Sequence, residues 1–264
     1  MKPNLILATG TSGTIGRHLS NFVKPIDKKL EEIRKGDFDN INTEFVLLHL
    51  AGLVGTNVVL KNLEYSRKIN VDMTLNLAKL VRESNLQKFV YISSSHIYGS
   101  SFKNLAESST PNPQSEYAEQ KLLAEIELTK LFVDSPERLL IIRVFSVLDL
   151  EMPDFTLGGA ISKICQGNSK IRISNSDDER DFMTPRKIAR ALVRICETKN
   201  IFGLFNLCTG TALTVKAAGS QLLANQRVLN PDSYFIKGNS ANPRIVGSNS
   251  KLLRVIPNLD LTWP

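Results

Sequence analysis

An apolar run from Asn4 to Ala8 stops at Thr9-Gly10, and glycine returns at Gly13 and Gly16. Such a run, apolar without alternation, reads as a strand buried on both faces of a parallel sheet. Gly16 to Phe22 reads as a helix, so the glycines occupy a strand-to-helix turn. In such a turn Gly10 permits the bend, Gly13 lets a pyrophosphate approach the backbone, and Gly16 lets helix and strand pack closely. Thr14 and Ile15 lie where the helix start offers free N–H groups and a partial positive charge to phosphate. A glycine turn without a ligand is the bland alternative.

The same rhythm continues along the chain. Phe45 to Leu50 is a second apolar run, followed by Ala51-Gly52. Asn70 to Arg82 has helical periodicity, with Val71, Leu75, Ala78 and Val81 on one face. Phe89 to Ile92 reads as a strand ending in Ser93, Ser94 and Ser95, Tyr117 to Leu131 as a long helix, and Leu139 to Val144 as a further strand. Strands alternating with helices imply an α/β, doubly wound parallel sheet with right-handed crossovers. The interval between the first helix and Phe45 is short. It leaves room for a truncated strand at Lys24 to Asp27 and one short helix at Lys29 to Arg34, so the sheet is expected to be trimmed at that edge. After Ser146 the alternation weakens, and polar loops run over Gly167 to Asp178 and Asn230 to Pro243. We expect residues 1–146 to form the dinucleotide-binding domain, joined by a return strand near 204–208, Leu204 to Leu207. Residues 147–264 should form a smaller substrate-binding region.

Composition excludes several classes. The 264 residues are 42% hydrophobic and 22% charged, enough for a sizeable core and unlike a disordered chain. No stretch approaches the roughly 18 apolar residues of a membrane span. Met1 to Leu7 runs straight into a strand, unlike a secretory signal, which favours a cytoplasmic protein. Cys165, Cys196 and Cys208 are odd in number and show no CxxC spacing, so buried reduced thiols are expected and no metal site. The net charge is +7 and the pI about 9.3. The basic residues are scattered among acids, which argues for a solvated surface rather than a nucleic-acid site. A weaker reading is attraction of phosphate-bearing small molecules.

Four groups carry candidate chemistry. Asp27 lies about where an acid holds an adenosine ribose diol, which favours NAD, while Lys28 and Lys29 could hold a 2′-phosphate instead. Tyr117 and Lys121 are four apart on a helix and share a face. A phenol has a reference pKa of about 10, and a neighbouring ammonium is expected to lower it, letting the pair exchange a proton with a carbinol oxygen. Ser94 ends a strand where parallel sheets bind ligands. His96 invites a reading as general base or metal ligand; with no acidic or metal-binding partner nearby in sequence, a loop histidine is the favoured one.

Taken in order, these motifs resemble the extended short-chain dehydrogenase/reductase family, in its nucleotide-sugar epimerase/dehydratase branch. The resemblance covers nearly the whole chain. It extends to His49-Leu50-Ala51-Gly52, the Asn70 to Leu77 segment, Ser93 to Gly99, Tyr117 with Lys121, Arg180-Asp181-Phe182, Phe205 to Gly210, and Pro243 to Leu252. It implies a Rossmann-type fold, an NAD or NADP cofactor, a nucleotide-sugar substrate, no membrane partner, and a homodimer through the Tyr117 and Asn70 helices. It makes Ser94, Tyr117 and Lys121 catalytic. Cofactor contacts would come from Gly10, Gly13, Thr14, Ile15, Gly16, Asp27, Leu50, Ala51, Gly52, Asn70, Lys121 and Phe145. Substrate contacts would come from Ser95, His96, Ser146, Arg180 and Arg244, with Lys237 an alternative near the diphosphate.

The departures limit the reaction. Dehydratases of this branch carry an Asp-Glu pair just after the catalytic hydroxyl; here Ser95-His96 stands there, so water elimination lacks its acid and base. Ser146 replaces an Asn that often grips substrate phosphate, and the chain stops at Trp263-Pro264. The expected activity is hydride transfer at a sugar carbon, C4 above all, as a 4-epimerase or a 4-keto-sugar reductase. The alternative is a non-catalytic NAD(P)-binding sensor or an RNA-associated scaffold of the same fold, favoured only by the charge.

Overall fold

The computed structural model describes residues 5–238 and 243–263. Asn4, residues 239–242 of the loop expected before Pro243, and Pro264 lie outside the described residues. The first half runs β1 (Leu5–Thr9), β2 (Lys24–Pro25), β3 (Phe45–His49), α1 (Thr56–Lys61), α2 (Leu63–Arg67), α3 (Thr74–Arg82), β4 (Leu86–Ser94), α4 (Glu116–Leu131) and β5 (Leu139–Val144). Next come β6 (Ser146–Val147), α5 (Leu157–Cys165), β7 (Glu179–Arg180), β8 (Phe182–Met183) and α6 (Pro185–Glu197). The remainder is β9 (Gly203–Leu207), β10 (Leu213–Thr214), α7 (Val215–Asn225), β11 (Arg244–Ile245) and α8 (Ser250–Val255).

Six strands pair in parallel in the order β2-β1-β3-β4-β5-β9. The continuous apolar runs are explained by burial on both faces. Leu7, Leu47, Phe89, Tyr91 and Ile141 pack under α3 and α4. Ile6, Ala8, Leu48, Ile92 and Ile142 alternate with them and pack against α6 and α8. The return to the sheet is therefore larger than β9 alone: α6 and α8 form most of one covering layer. A second core, around Leu148, Ile161, Phe182, Leu223 and Phe235, lies among α5, β8 and α7.

The helix expected over Gly16 to Phe22 is reduced to a 3-10 turn at Gly16–His18. Length is the cause. A helix advances about 1.5 Å per residue and a strand about 3.3 Å. The few residues between Gly16 and Lys24 cannot carry the chain back along all of β1. β2 therefore pairs only with the far end of β1, Leu7 with Lys24 and Ala8 with Pro25. Leu19 and Val23 plug the core where a helix face would stand. The segment expected as a short helix forms only a 3-10 turn, Leu30–Glu32. The sheet thus lacks the strand that a full dinucleotide fold, ordered 3-2-1-4-5-6, carries outside its second.

His49, fully buried at the end of β3, ties three elements together. Thr74 Oγ1 donates to Asn70 O at 3.0 Å, so it accepts from His49 Nε2–H at 2.9 Å. Nδ1 is then the bare nitrogen and accepts from Thr9 Oγ1 at 2.7 Å. Both ring nitrogens are satisfied in the neutral form. Burial, helped by the Lys121 charge, pushes the imidazole pKa from 6.5 down to about 3. This contribution to stability is complete above the unfolded value of 6.5 and is lost as pH falls toward 3. It is on the order of 5 kcal/mol in total. His49→Gln should show a flatter change in urea midpoint between neutral and acid pH than the wild type.

Candidate active site

The strand ends bring the sequence motifs to one rim. β1, β3, β4, β5 and β9 all point their C-terminal ends toward it, and the chain reverses its direction of winding between β1 and β3. That switch point is where open α/β sheets bind ligands. Gly10 adopts φ +72°, and a Cβ there would lie 2.5 Å from Ala51 N. A Cβ on Gly16 would lie 2.1 Å from Gly10 O. Gly16→Ala should therefore cost about 1–3 kcal/mol through overpacking against fixed backbone, read as a lowered denaturation midpoint. Gly13 is exposed, and a Cβ there would meet only Gly10 O, at 3.3 Å. Thr14 and Ile15 are half-buried in the same turn. Beside it a cleft of about 240 Å³ is lined by Thr11, Ser12, Gly16, Ser20, Val23, Pro25 and Asp27. Lys28, the rival to Asp27, is paired with Asp37.

Across the rim, Leu50, Ala51 and Gly52 follow β3. Ala51 N–H donates to Thr9 Oγ1 at 3.4 Å. Asn70 does not face open space: its Oδ1 accepts from Leu53 N at 2.8 Å, and its Nδ2 donates to Leu53 O and to Gln120 Oε1. It clamps the loop that carries Gly52. The wide π-type turn Lys68–Met73, where a uniform helix was expected, is what delivers this side chain.

Tyr117 and Lys121 are buried on the first turns of α4, which Ser115 caps by accepting from Ala118 N. Ser94 ends β4 within hydrogen-bonding contact of the Tyr117 hydroxyl. Lys121 Nζ donates to Ile92 O at 2.9 Å and lies 4.7 Å from the centroid of the Tyr91 ring. Serine hydroxyl, phenol and ammonium thus meet at one strand end. Their electrostatics differ from expectation. Burial raises the Tyr117 pKa to about 12, opposed by the Ser94 hydrogen bond. Burial lowers Lys121 to about 8, opposed by Glu125. The ammonium is directed to a carbonyl and the Tyr91 ring, so desolvation outweighs its pull on the phenol. Tyr117 is a loaded proton donor at neutral pH.

The substrate side is mixed. Ser95 is buried and His96 exposed, its ring edge-on to Tyr117 at 6.0 Å. Ser146 is half-buried on β6, with its N–H donating to Asp181 O. Phe145 stands apart. Its ring is buried with Tyr98, Leu105, Cys208 and Ile245, and its N–H is spent on Leu207 O. Arg180 pairs in register with Ile245, and Arg244 with Glu179, so the two arginines lie on opposite faces of a small sheet. Arg180 is near enough to act on His96 and is held by Asp178 Oδ2 at 3.1 Å. Arg244 instead meets Asn104 Oδ1 and Glu179 Oε2. Lys237 is exposed beside Asp177. Between the arginines, buried Asp181 accepts from the N–H groups of Thr209, Gly210 and Gly247 and from Thr209 Oγ1, clipping β9 to the small sheet.

Sequence reasoning missed the buried pair beneath this floor. Arg143 donates to both oxygens of Glu125, Nε to Oε1 at 3.0 Å and an Nη to Oε2 at 2.6 Å. The side chains are 4% and 6% exposed. A signal was available: Glu125 follows Lys121 by one helical turn, and an arginine interrupts the apolar β5. No cluster of metal-ligating side chains occurs among the described residues, and no helix among them is long and apolar enough to cross a membrane.

The comparisons agree with this layout. Residues 38–208 match the sequence profile of the NAD dependent epimerase/dehydratase family, a span that leaves the glycine turn and the shortened β2 outside. The GDP-6-deoxy-D-talose 4-dehydrogenase of Aggregatibacter actinomycetemcomitans is 27% identical, over 96% of this chain and 91% of that protein. RMD from Pseudomonas aeruginosa, solved with NADPH, has a similar fold: TM-score 0.83, 22% identity, covering 99% of this chain and 93% of that one. UDP-glucuronic acid 4-epimerase from Bacillus cereus, solved with UDP-glucuronic acid and NAD, gives 0.82 at 21% identity, covering 98% and 94%. With most of its length matched in sequence and nearly all of it in a Rossmann-type fold, the chain belongs to the NAD-dependent epimerase/dehydratase family.

Proposed function

We propose that the chain is an NAD(P)-dependent oxidoreductase acting at C4 of a nucleotide-linked sugar, in the direction of 4-keto-sugar reduction. The carrying observation is the convergence of Ser94, Tyr117 and Lys121 at the end of β4, across the rim from an open glycine turn. The turn fits a dinucleotide: a Cβ at Gly13 would fill the approach, and the adjoining cleft ends in a carboxylate suited to a ribose diol. Asp27 in that cleft and the pairing of Lys28 with Asp37 support NAD over NADP. When bound, the dinucleotide supplies the hydride. Ser94 and Tyr117 hold the carbonyl oxygen, and Tyr117 donates the proton that neutralises the developing alkoxide. Lys121, held at the same strand end by Ile92 O, would bind the nicotinamide ribose. At neutral pH Tyr117 holds its proton, the form that donates to a carbonyl oxygen; 4-epimerisation at the same site is the second reading. Arg180 meets the substrate diphosphate by charge-assisted hydrogen bonds.

The relatives support this reading: one is a 4-dehydrogenase of a GDP-linked sugar, and solved ones hold NADPH or NAD. A homodimer through α4 and the Asn70 helix is part of the same proposal. In the test, purified protein receives NADH or NADPH and a panel of nucleoside-diphosphate 4-keto-sugars. Loss of nicotinamide absorbance is expected. Cofactor binding without turnover on any of them would move the chain to the non-catalytic class.

A further inference from the structure

The glycine turn lacks the charge that a full helix would bring to it. A helix concentrates positive charge at its start because many peptide dipoles align along one axis. Here only Gly16–His18 follow the turn in helical form, and three residues align too few. Thr11, Ser12, Thr14 and Ile15 carry no charge, and Lys28 is paired with Asp37. A diphosphate lying against Gly13 brings negative charge that a nearby cation would hold by charge-assisted hydrogen bonds.

Arg17 is in place to supply that cation. Its N–H donates to Gly13 O at 3.1 Å, the bond of one α-helical turn. Residues four apart in such a turn share a face, and the Cα–Cβ bond leans back toward its start. The Arg17 side chain therefore rises on the face that Gly13 leaves bare, where a Cβ would meet only Gly10 O, at 3.3 Å. The guanidinium already has a weak holder. Nη2 donates to Glu151 O at 2.7 Å and lies 3.6 Å from Glu151 Oε2. Glu151 belongs to the segment between β6 and α5, where its own N–H donates to Asp149 Oδ1 at 3.1 Å. That segment leaves the sheet at β5, beyond β3 and β4 from the glycine turn, so the pair ties one side of the rim to the other. With side chains 36% and 69% exposed, the ion pair adds little strength.

We propose that Arg17 binds the diphosphate of the dinucleotide in place of the missing helix, and that Glu151 holds the guanidinium until the dinucleotide takes it. Phosphate oxygens accept from a guanidinium in two parallel hydrogen bonds, a match that one carbonyl and one more distant carboxylate oxygen do not offer. Glu151 acts in two opposed ways. Its carbonyl keeps the guanidinium at the rim, while its carboxylate competes with the phosphates for the same cation and repels them. Removing the carboxylate alone should therefore tighten dinucleotide binding, the reverse of what loss of a merely structural tie would do. The inference rests on the glycine turn as the seat of the dinucleotide and is independent of the reaction at the sugar.

The test is equilibrium binding to the full chain by titration calorimetry, with NADH, NADPH, ADP-ribose and adenosine as probes. Arg17→Met should weaken NADH and ADP-ribose about 10–100-fold, the span of a lost charge-assisted hydrogen bond. Adenosine, which has no phosphate, should bind the variant as it binds the wild type. Arg17→Lys, a point charge without the planar fork, should recover part of the loss. Glu151→Gln keeps the carbonyl and should bind NADH about twofold to fivefold more tightly, the size of an exposed ion pair. Added salt should weaken NADH binding less in Arg17→Met than in the wild type. Urea melts check the folding of each variant, and Glu151→Gln carries the test if Arg17→Met does not fold. Equal NADH affinity in the wild type and Arg17→Met, an equal loss for adenosine, or binding no tighter in Glu151→Gln overturns the role of Arg17 and leaves the glycine turn as the seat. A wild type that binds neither NADH nor NADPH overturns the seat and the role of Arg17 together. The expected affinities without turnover of any keto-sugar support Arg17 and count against the proposed reaction alone.

Discussion

Tyr117→Phe is expected to slow keto-sugar reduction by about 10²–10⁴-fold, the usual span for losing a positioned proton donor. The ring is retained, and Ser94 keeps its bond from His96 N–H, so folding should be nearly unchanged. Steady-state rates beside a urea melt separate the two effects. The pH profile adds a sign. Tyr117 keeps its proton to about 12, so it produces no decline below that. Lys121 loses its charge near 8, so the reductive rate should fall as pH rises through that value. A profile flat to pH 10 would remove the charged lysine from the mechanism.

The second large effect is on stability. Arg143→Met should cost about 3–5 kcal/mol, because it strands the Glu125 carboxylate in the core. Adding Glu125→Leu should recover most of that loss, since an apolar pair of similar volume avoids the desolvation of both charges. A double-mutant cycle from denaturant melts reads the coupling directly. The single Arg143 variant should also raise the Lys121 pKa, because an unpaired Glu125 acts more strongly on the ammonium one turn away. That would appear as a shift of the alkaline limb in the reductive profile.

Much of the fold was legible in the sequence because β1, β3, β4 and β5 are buried on both faces and leave unbroken apolar runs. The positions of Tyr117, Lys121 and Ser94 were legible because spacing on a helix and the end of a strand are local properties. The first helix was misread because its sequence carries helical residues, while the limit on it is nonlocal: the chain must reach β2 within a few residues. The tyrosine's proton affinity was also misread. Spacing of four says that Tyr117 and Lys121 share a face, but desolvation and the carbonyl of Ile92 decide what the ammonium does. Arg180 and Arg244 are separated by a strand register that no spacing along the chain encodes.

The loss of an outer strand leaves β2 as the border of the main sheet. A border normally invites a foreign strand to add itself by backbone pairing. This one is two residues long, begins with a lysine and ends with a proline that has no N–H to offer. An incoming chain would find almost nothing to zip onto at β2, so the shortening disfavours strand addition at that one border.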